Sequence, residues 1–373
     1  MPTSQEFIEK GYVYFGYFPP EMESEDLYPH YIKEEAEDTV QKIKSCQNEN
    51  TVTFAFMTDL HYAPTRDHDI CLSRTVNAYK EIAKQVGCDT LLLGGDLGAN
   101  GNKQFAKEAF ERFHKHFDGV RHFPVTGNHD DNTIWQKCIA SPTSDHHFTH
   151  KELYDLLFSH LPKYGVDTGG EDILYYYVDD AENKMRYICL DISDIPYIME
   201  DGNLKYKGQN SFVLSQKQVD WLTKTALDFK EDGWGTVIVS HSALCENSRI
   251  KAEQYETNCL SVINEIINAF VSREKMQKEM FEGDLKIQLD ADFTNAKSEI
   301  CGVVLGHFHD DIIVNETVPY IATANSSMYN SQFYKRNQGD KTELLFDFIT
   351  IDKAKRKIYI TRVGQGEDRE TKY

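Results

Sequence analysis

The chain has 373 residues, of which 40% are hydrophobic and 27% charged, a composition typical of a globular protein with a sizeable core. Its formal net charge of −20 argues against broad attraction to nucleic acid or to an anionic membrane, because the summed field repels polyanions. No run approaches the roughly 20 apolar residues needed to span a bilayer. We therefore expect neither an extended nucleic-acid surface nor a membrane partner.

The N-terminal region reads as an aromatic segment followed by a charged helix at about residues 29–45. It lacks a basic stretch followed by an apolar one, so it predicts no secretory signal. The 8 cysteines are scattered without a CxxC pair and are typical of small buried side chains. Together these features favour a cytoplasmic protein.

Strand and helix patterns alternate from residue 51 onward. Strands are predicted at 51–58, 89–95 and 119–127, with helices between them at 73–87 and 103–117. Alternation of this kind implies an α/β fold in which neighbouring strands are largely parallel.

The alternation is interrupted after residue 130 and then resumes. The elements predicted there are a hairpin at 173–193, an amphipathic helix at 214–229, a strand at 234–244, a long helix at 259–280, a strand at 299–306 and a hairpin at 343–364. The stretch at 191–208, rich in turn residues and aromatics, favours an ordered loop rather than a sheet element.

Five of the predicted strands end in polar residues that can bind a metal ion. In chain order these are Asp59 and His61, Asp96, Asn128 and His129, His241, and His307 and His309. In open α/β sheets ligands bind beyond the carboxyl ends of the strands, so these strand ends can converge in one crevice. Imidazole and oxygen donors without a thiolate suit ions such as Mn, Fe or Zn. Each motif alone is more typical of a turn or polar loop than of a metal ligand, but their order after five strands predicts a metal site.

The ordered set D-x-H, G-D, G-N-H-D, a lone H after a strand, and G-H-x-H resembles the calcineurin-like metallophosphoesterase superfamily, with motifs spread over about residues 52–327. The resemblance implies a four-layer α/β/β/α sandwich of two mixed sheets with a dinuclear metal site at the strand ends. It also implies a metal-dependent phosphoesterase that uses two divalent ions. Mn²⁺ is the expected ion, with Fe or Zn as alternatives.

The resemblance assigns a role to each strand-end residue. The residues that resemble the ligands of one ion are Asp59, His61, Asp96 and His309. Those that resemble the ligands of the other are Asn128, His241 and His307, with Asp96 as the bridge. His129 resembles the catalytic histidine that assists the leaving group while a hydroxide shared by the two ions attacks phosphorus. Asp310 is a candidate for orienting a histidine ligand, a role that the sequence leaves open.

Departures from the superfamily's protein phosphatases narrow the expected substrate. The stretch "GDLGANG" has Ala99 and Asn100 where those enzymes carry Asp and Arg, and Asp130 replaces their Glu. It looks more like the bacterial branch that includes phosphodiesterases. We therefore expect a small or medium-sized phosphodiester, or a phosphomonoester. A nuclease with the same chemistry and a non-catalytic metal-binding scaffold are the alternatives.

We divide the chain into an N-terminal extension at 1–50, a catalytic domain at 51–330 and a C-terminal hairpin and tail at 331–373 that pack on the same domain. Within the catalytic domain, residues 131–212 are predicted to form a wall over the metals, the alternative being a subdomain that packs away from them. The candidate substrate contacts are Asn128, His129, Trp135, His146, His147, Tyr197 and Tyr206. Otherwise His146 and His147 are expected to be exposed loop residues, and His114 and His116 to lie on a helix surface.

Overall fold

The computed structural model describes residues 27–134, 143–242, 257–258, 261–282, 285–327 and 333–373. Within them, two six-stranded mixed sheets pack face to face and helices cover their outer faces. This arrangement confirms the predicted α/β/β/α sandwich. None of the helices in these ranges is long and apolar enough to cross a membrane.

The first sheet contains the three parallel strands that lead to the N-terminal motifs. They are β1 (Thr51–Met57), β2 (Leu91–Leu93) and β3 (His122–Pro124). Antiparallel strands from the C-terminal region continue the sheet beyond β1, namely β16 (Leu345–Asp352), β17 (Lys357–Gly364) and β18 (Arg369–Lys372). The residues of β1 from Phe54 to Met57 are buried on both faces, as expected for a central strand between two layers.

The second sheet has four parallel strands at its centre and one antiparallel strand at each edge. The central strands are β5 (Met185–Cys189), β9 (Trp234–Ser240), β13 (Ser298–Leu305) and β15 (Pro319–Ala322), and the edge strands are β4 (Tyr176–Asp180) and β14 (Ile312–Asn315). Side chains alternate between its faces. In β9, Val237 and Val239 pack in the core shared with the first sheet, and Ile238 packs under the outer helices.

Three helices cover the first sheet, α1 (His30–Cys46), α2 (Arg66–Val86) and α3 (Lys103–His116). The ring of Tyr79 in α2 stacks on Phe348 of β16, with centroids 6.0 Å apart. Between the sheets, Phe54 meets Tyr187 edge to face at 5.2 Å. The hydrophobic core is therefore continuous from the helices through the first sheet to the second sheet.

The remaining α-helices among the described residues are shorter. They are α4 (His150–Leu153), which runs into a π-helical turn at Tyr154–Phe158, α5 (Gln216–Trp221), which runs into another at Leu222–Ala226, and α6 (Ser261–Val271). Helices α5 and α6 cover the outer face of the second sheet. The helix predicted at 214–229 is therefore α5 with its π-helical continuation.

Six further strands form three separate two-stranded sheets in the described residues. They are β6 (Met199–Glu200) paired with β7 (Asn203–Leu204), β8 (Ser211–Phe212) paired with β10 (Thr257–Asn258), and β11 (Lys275–Glu282) paired with β12 (Leu285–Asp292). The stretch predicted as a loop at 191–208 thus contains the small β6–β7 hairpin.

The long helix predicted at 259–280 is wrong beyond residue 271. Helix α6 ends at Val271, and Arg273 then adopts a left-handed backbone with φ 58°. The following residues form β11 and pair along their whole length with β12. The straight-chain residues of "KMQKEM" favour a helix on their own, but strand pairing overrides that local preference. In β12, Ile287 and Leu289 are buried and provide the apolar face that holds the hairpin.

Helix α2 begins at Arg66, earlier than the predicted residue 73. The Thr65 hydroxyl caps it by accepting a hydrogen bond from the His68 backbone, and acidic residues occupy its first turn. The helix ends at Val86, and the predicted stop residue Gly87 caps it with a φ of 70°, which suits a residue without a side chain.

Candidate metal centre

The five polar strand ends converge on one site at the edge of the sandwich. β1, β2 and β3 bring Asp59 and His61, Asp96, and Asn128 and His129 from the first sheet. β9 and β13 bring His241, His307 and His309 from the second. The carboxyl ends of parallel strands from both sheets meet here, which is where an α/β fold commonly binds ligands.

Five of these residues have left-handed backbones. The φ values are 51° for Asp59, 40° for His61, 52° for Asp96, 70° for His307 and 53° for His309. Residues other than glycine rarely adopt this conformation, and such strain clusters at functional sites. It turns each side chain sharply away from the preceding strand and toward the other ligands.

Two glycines allow the backbone to approach the ligands closely. A Cβ atom on Gly127 would lie 2.1 Å from Asp96 Oδ1, and one on Gly306 would lie 1.9 Å from Thr58 Oγ1. Both distances are far below van der Waals contact. The glycines of G-N-H-D and G-H-x-H are therefore required by packing at the site.

Asp59, His61 and His309 form the first group of candidate ligands. His309 Nε2 lies 3.2 Å from both His61 Nε2 and Asp59 Oδ1. The other Asp59 oxygen accepts hydrogen bonds from Thr58 Oγ1 at 2.7 Å and from the His307 backbone at 2.9 Å. Asp59 Oδ1 is buried without a hydrogen-bond partner among the described residues, so its charge points into this group.

Asn128, His241 and His307 form the second group. Asn128 Oδ1 lies 3.1 Å from His241 Nε2 and 3.0 Å from His307 Nδ1. His241 Nδ1 donates a hydrogen bond to the Gly94 carbonyl at 2.7 Å, which orients the ring with Nε2 toward the site. Burial disfavours charge on His241, but the carboxylates of Asp96 and Asp59 raise its pKa to about 9.

Asp96 lies between the two groups. Its Oδ2 atom is 3.8 Å from His61 Nε2 and 3.3 Å from His241 Nε2, one histidine from each group. Its Oδ1 atom accepts a hydrogen bond from the His129 backbone at 2.9 Å. Although burial opposes its charge, His241 and His129 hold the pKa of Asp96 well below its usual value. A carboxylate in this position can contact two cations at once.

The donor set fits a pair of divalent metal ions. Burial lowers the pKa of His61 and of His307 to about 3, so both rings are neutral and keep a lone pair for a metal. Asp59 Oδ1 is an orphaned buried oxygen, and ligand atoms of Asp59, Asp96 and His241 lie within 4.8 Å of one another. Oxygen and imidazole ligands of this kind suit borderline and hard divalent ions.

His129 lies beside the ligands, and 26% of its side chain is exposed, so it faces the opening of the site. Its Nε2 atom is 4.0 Å from Asp96 Oδ2. Its Nδ1 atom is 2.6 Å from Asn100 Oδ1, and Asn100 Nδ2 donates to the His129 carbonyl at 2.7 Å and to Asn132 Oδ1 at 3.2 Å. Because both Nδ2 bonds end on acceptors, the Asn100 oxygen must face the ring, and His129 Nδ1 carries the hydrogen.

Sequence reasoning missed the roles of Asn100 and Asn132. Asn132 is fixed by bonds to the Gly101 backbone and to the His146 carbonyl, and it in turn fixes Asn100. The only signal in the sequence was the departure of "GDLGANG" from the protein-phosphatase pattern. Asp130, noted for replacing Glu, ties the loops together by accepting backbone hydrogen bonds from Asp96, Leu97 and Gly127. Burial and the neighbouring Asp96 charge raise its pKa to about 7.

The candidate substrate contacts divide between buried and exposed positions. His146 and His147 are buried, so the expectation that they are exposed loop residues is wrong. The reason is local packing: the Phe148 backbone donates a hydrogen bond to the Asp131 carbonyl, and the His146 carbonyl accepts one from Asn132 Nδ2. Tyr206 is also buried, whereas Tyr197 is 51% exposed.

Two further expectations have clear outcomes, and the one for Trp135 has none. Trp135 lies outside the described residues. Asp310 accepts a hydrogen bond from the Asp311 backbone at 2.8 Å, a local contact rather than a bond to a histidine ligand. His114 and His116 are half-buried rather than surface residues, since His114 bonds to the Leu156 carbonyl and His116 to Asp69.

The model of the calcineurin-like phosphoesterase family matches residues 52–269, more than half of the chain. The chain belongs to this family. It is therefore a hydrolase that acts on phosphoester bonds. The matched range contains the strand ends from Asp59 to His241, and His307 and His309 follow it in the chain.

No curated protein matches the chain. Among solved structures, it is similar to a protein serine/threonine phosphatase from Saccharomyces cerevisiae described as similar to human phosphatase PP5, with 12% identity, 99% of each chain covered and a TM-score of 0.32.

Proposed function

We propose that this phosphoesterase hydrolyses a small or medium-sized phosphodiester, or a phosphomonoester, and that it uses two divalent ions, with Mn²⁺ as the native metal. The observation that carries the proposal is the position of Asp96 between two groups of ligands, with His129 at the opening beside it. One ion would be held by Asp59, His61, Asp96 and His309. The second would be held by Asp96, Asn128, His241 and His307.

A bound pair of ions would supply a water deprotonated near neutral pH and would offset the charge of the phosphoryl oxygens. The protein contributes a donor at the opening. His129 Nδ1–H is engaged with Asn100 Oδ1, so Nε2 is left to hold a proton and give it to the leaving oxygen. Histidine is the residue that enzymes use most often for such general acid catalysis.

Residues 131–212 are proposed to form the substrate wall, because the segment begins at the Asn128 loop, its later part returns to that beginning, and its last residue packs on a ligand. Asp131 follows directly after the Asn128 loop and accepts a hydrogen bond from the Gly208 backbone at 2.9 Å. Near the other end, the Phe212 ring packs edge to face on His307, with centroids 5.5 Å apart. Exposed Tyr197, whose ring is 5.1 Å from that of His147, is the candidate to contact a leaving group.

Two alternatives share this site. A nuclease would use the same ligands, but the net charge of −20 disfavours an extended polyanion. A non-catalytic scaffold would be expected to lack a ligand or His129, and this chain has the full set.

The test is hydrolysis of bis(4-nitrophenyl) phosphate, 4-nitrophenyl phosphate and plasmid DNA by the purified chain after chelation and after addition of Mn²⁺ or Mg²⁺. We expect chelation to abolish diester hydrolysis and Mn²⁺ to restore it better than Mg²⁺. Full activity in excess chelator would contradict the proposal, and cleavage of DNA alone would favour the nuclease. Asp96→Ala, which is expected to lose metal, is the inactive control, and His30→Ala, at an exposed position on α1, is the control for unrelated histidine loss.

A further inference from the structure

A second group of histidines lies away from the metal centre. His114 is in the last turn of α3, His122 begins β3, and His160 follows the π-helical turn after α4. One ring nitrogen of each lies within 4.8 Å of one ring nitrogen of each of the others. Ring centroids are 5.6 Å apart for His114 and His122, 5.2 Å for His114 and His160, and 4.2 Å for His122 and His160.

Each ring uses one nitrogen to bond a backbone carbonyl. His114 Nε2 bonds to Leu156 O at 2.6 Å, and His122 Nδ1 bonds to Val120 O at 2.9 Å. His160 Nε2 bonds to His122 O at 3.1 Å. A carbonyl only accepts, so these nitrogens carry the hydrogen and the opposite nitrogen of each neutral ring keeps its lone pair. Histidine ligands of metal ions are commonly oriented in this way.

Two of the lone-pair nitrogens have no other use among the described residues. His122 Nε2 and His160 Nδ1 are buried without a hydrogen-bond partner, and His122 is only 2% exposed. A buried polar atom without a partner is costly, which calls for a ligand or another compensation. Burial lowers the pKa of His160 to about 4, and burial together with His160 holds the pKa of His122 well below its usual value. The rings are therefore neutral, the form that binds a metal.

We propose that His114, His122 and His160 bind one divalent transition ion, separate from the catalytic pair. Three imidazoles without a carboxylate favour Zn²⁺, Ni²⁺ or Cu²⁺ over Mg²⁺ or Mn²⁺. The planes of the stacked His122 and His160 rings are 20° apart, so binding turns one ring to direct its lone pair at the ion. An ion here joins α3, β3 and the turn after α4, and it stabilises the strand that leads to Asn128 and His129.

The test counts bound zinc in the full-length chain. Chelated protein is dialysed against Zn²⁺, and the bound metal is measured by mass spectrometry for the wild type and for His114→Gln and His160→Gln. His30→Gln, at an exposed position, is the matched control. We expect each of the first two variants to bind one ion fewer than the wild type, and the control to bind the same number. Equal zinc content in all four proteins would overturn the proposal.

A second measurement separates metal binding from a purely structural role. Electron paramagnetic resonance of the Cu²⁺-loaded wild type should show a copper centre whose signal is coupled to imidazole nitrogens. The signal of this centre should be absent from both His114→Gln and His160→Gln. Mn²⁺-dependent esterase activity should stay unchanged, since neither residue lies in the catalytic site. If the variants lost two or more ions together with activity, the histidines would support the fold rather than bind an ion, and the proposal would be wrong.

Discussion

Asn100 is expected to act on the reaction through His129 and not through a contact with the substrate. Replacing Asn100 with alanine should therefore slow the reaction by disturbing His129. Asn100 Oδ1 accepts the His129 Nδ1–H at 2.6 Å, and its amide group holds the His129 carbonyl at 2.7 Å. Removing the side chain leaves a ring that can rotate or carry its hydrogen on the wrong nitrogen. General acid catalysis is worth roughly 10²–10⁴-fold, so partial loss of the correct orientation should lower kcat by about 10–100-fold, equivalent to about 1.4–2.7 kcal/mol.

The dependence on the leaving group makes this prediction specific. A 4-nitrophenolate departs without a proton, whereas an alkoxide needs one, so Asn100→Ala should slow an alkyl diester more than an aryl diester. KM and metal content should remain close to those of the wild type. Asn102→Ala is a matched control, because Asn102 caps α3 by accepting from the Phe105 backbone at 3.0 Å. It should cost about 1 kcal/mol of stability and leave the leaving-group dependence unchanged.

The outcome that would refute this reasoning is an equal loss of kcat for both leaving groups in Asn100→Ala. Loss of bound metal in parallel with kcat would refute it as well, because Asn100 would then support the ligands rather than His129.

The other predictions concern metal content, acid stability and substrate contact. His129→Ala should lower kcat by roughly 10²–10⁴-fold and leave the metal content nearly unchanged. Asp96→Ala should lose bound metal in addition to activity. Steady-state kinetics measures kcat of each variant, and elemental analysis measures its metal content. Although burial opposes the charge of Asp347, Arg362 holds the pKa of this carboxyl group below its usual value. The carboxylate therefore stabilises the folded protein at pH values above its pKa in the unfolded chain. That stabilisation is lost as the pH falls through the lower pKa of the folded state. Asp347→Asn should therefore weaken the acid dependence of urea unfolding; an unaltered dependence would argue against this pairing. Tyr197→Ala should change KM or substrate preference more than metal content, and unchanged kcat/KM across several esters would remove Tyr197 from the wall.

The sequence was most informative where chemistry and strand geometry coincide. The apolar runs before Asp59, Asp96, Asn128, His241 and His307 predicted five strands, and the structure has a strand before each of them. Parallel strands bring their carboxyl ends to one edge, so the residues that follow were expected to meet, and the structure brings them together. The left-handed backbones that aim these side chains could not be predicted, since aspartate and histidine do not require that conformation.

Errors arose where long-range contacts outweigh local preference. Residues 275–282 favour a helix by composition, and only pairing with 285–292 makes them a strand. The terminal strand β18 was missed because it is an edge strand with mostly polar residues and a single buried side chain, Thr371. His146 and His147 look like a polar loop in sequence, and their burial accompanies hydrogen bonds that tie residues 146–148 to Asp131 and Asn132.

The central claim is that two divalent ions share Asp96. The most direct measurement is an anomalous-scattering map from crystals of the Mn²⁺-loaded chain, recorded on both sides of the manganese absorption edge. We expect two peaks about 3.5–4 Å apart, one on each side of the Asp96 carboxylate, the first beside His61 and His309 and the second beside His241 and His307. A single fully occupied peak, or two peaks that do not both contact Asp96, would contradict the account.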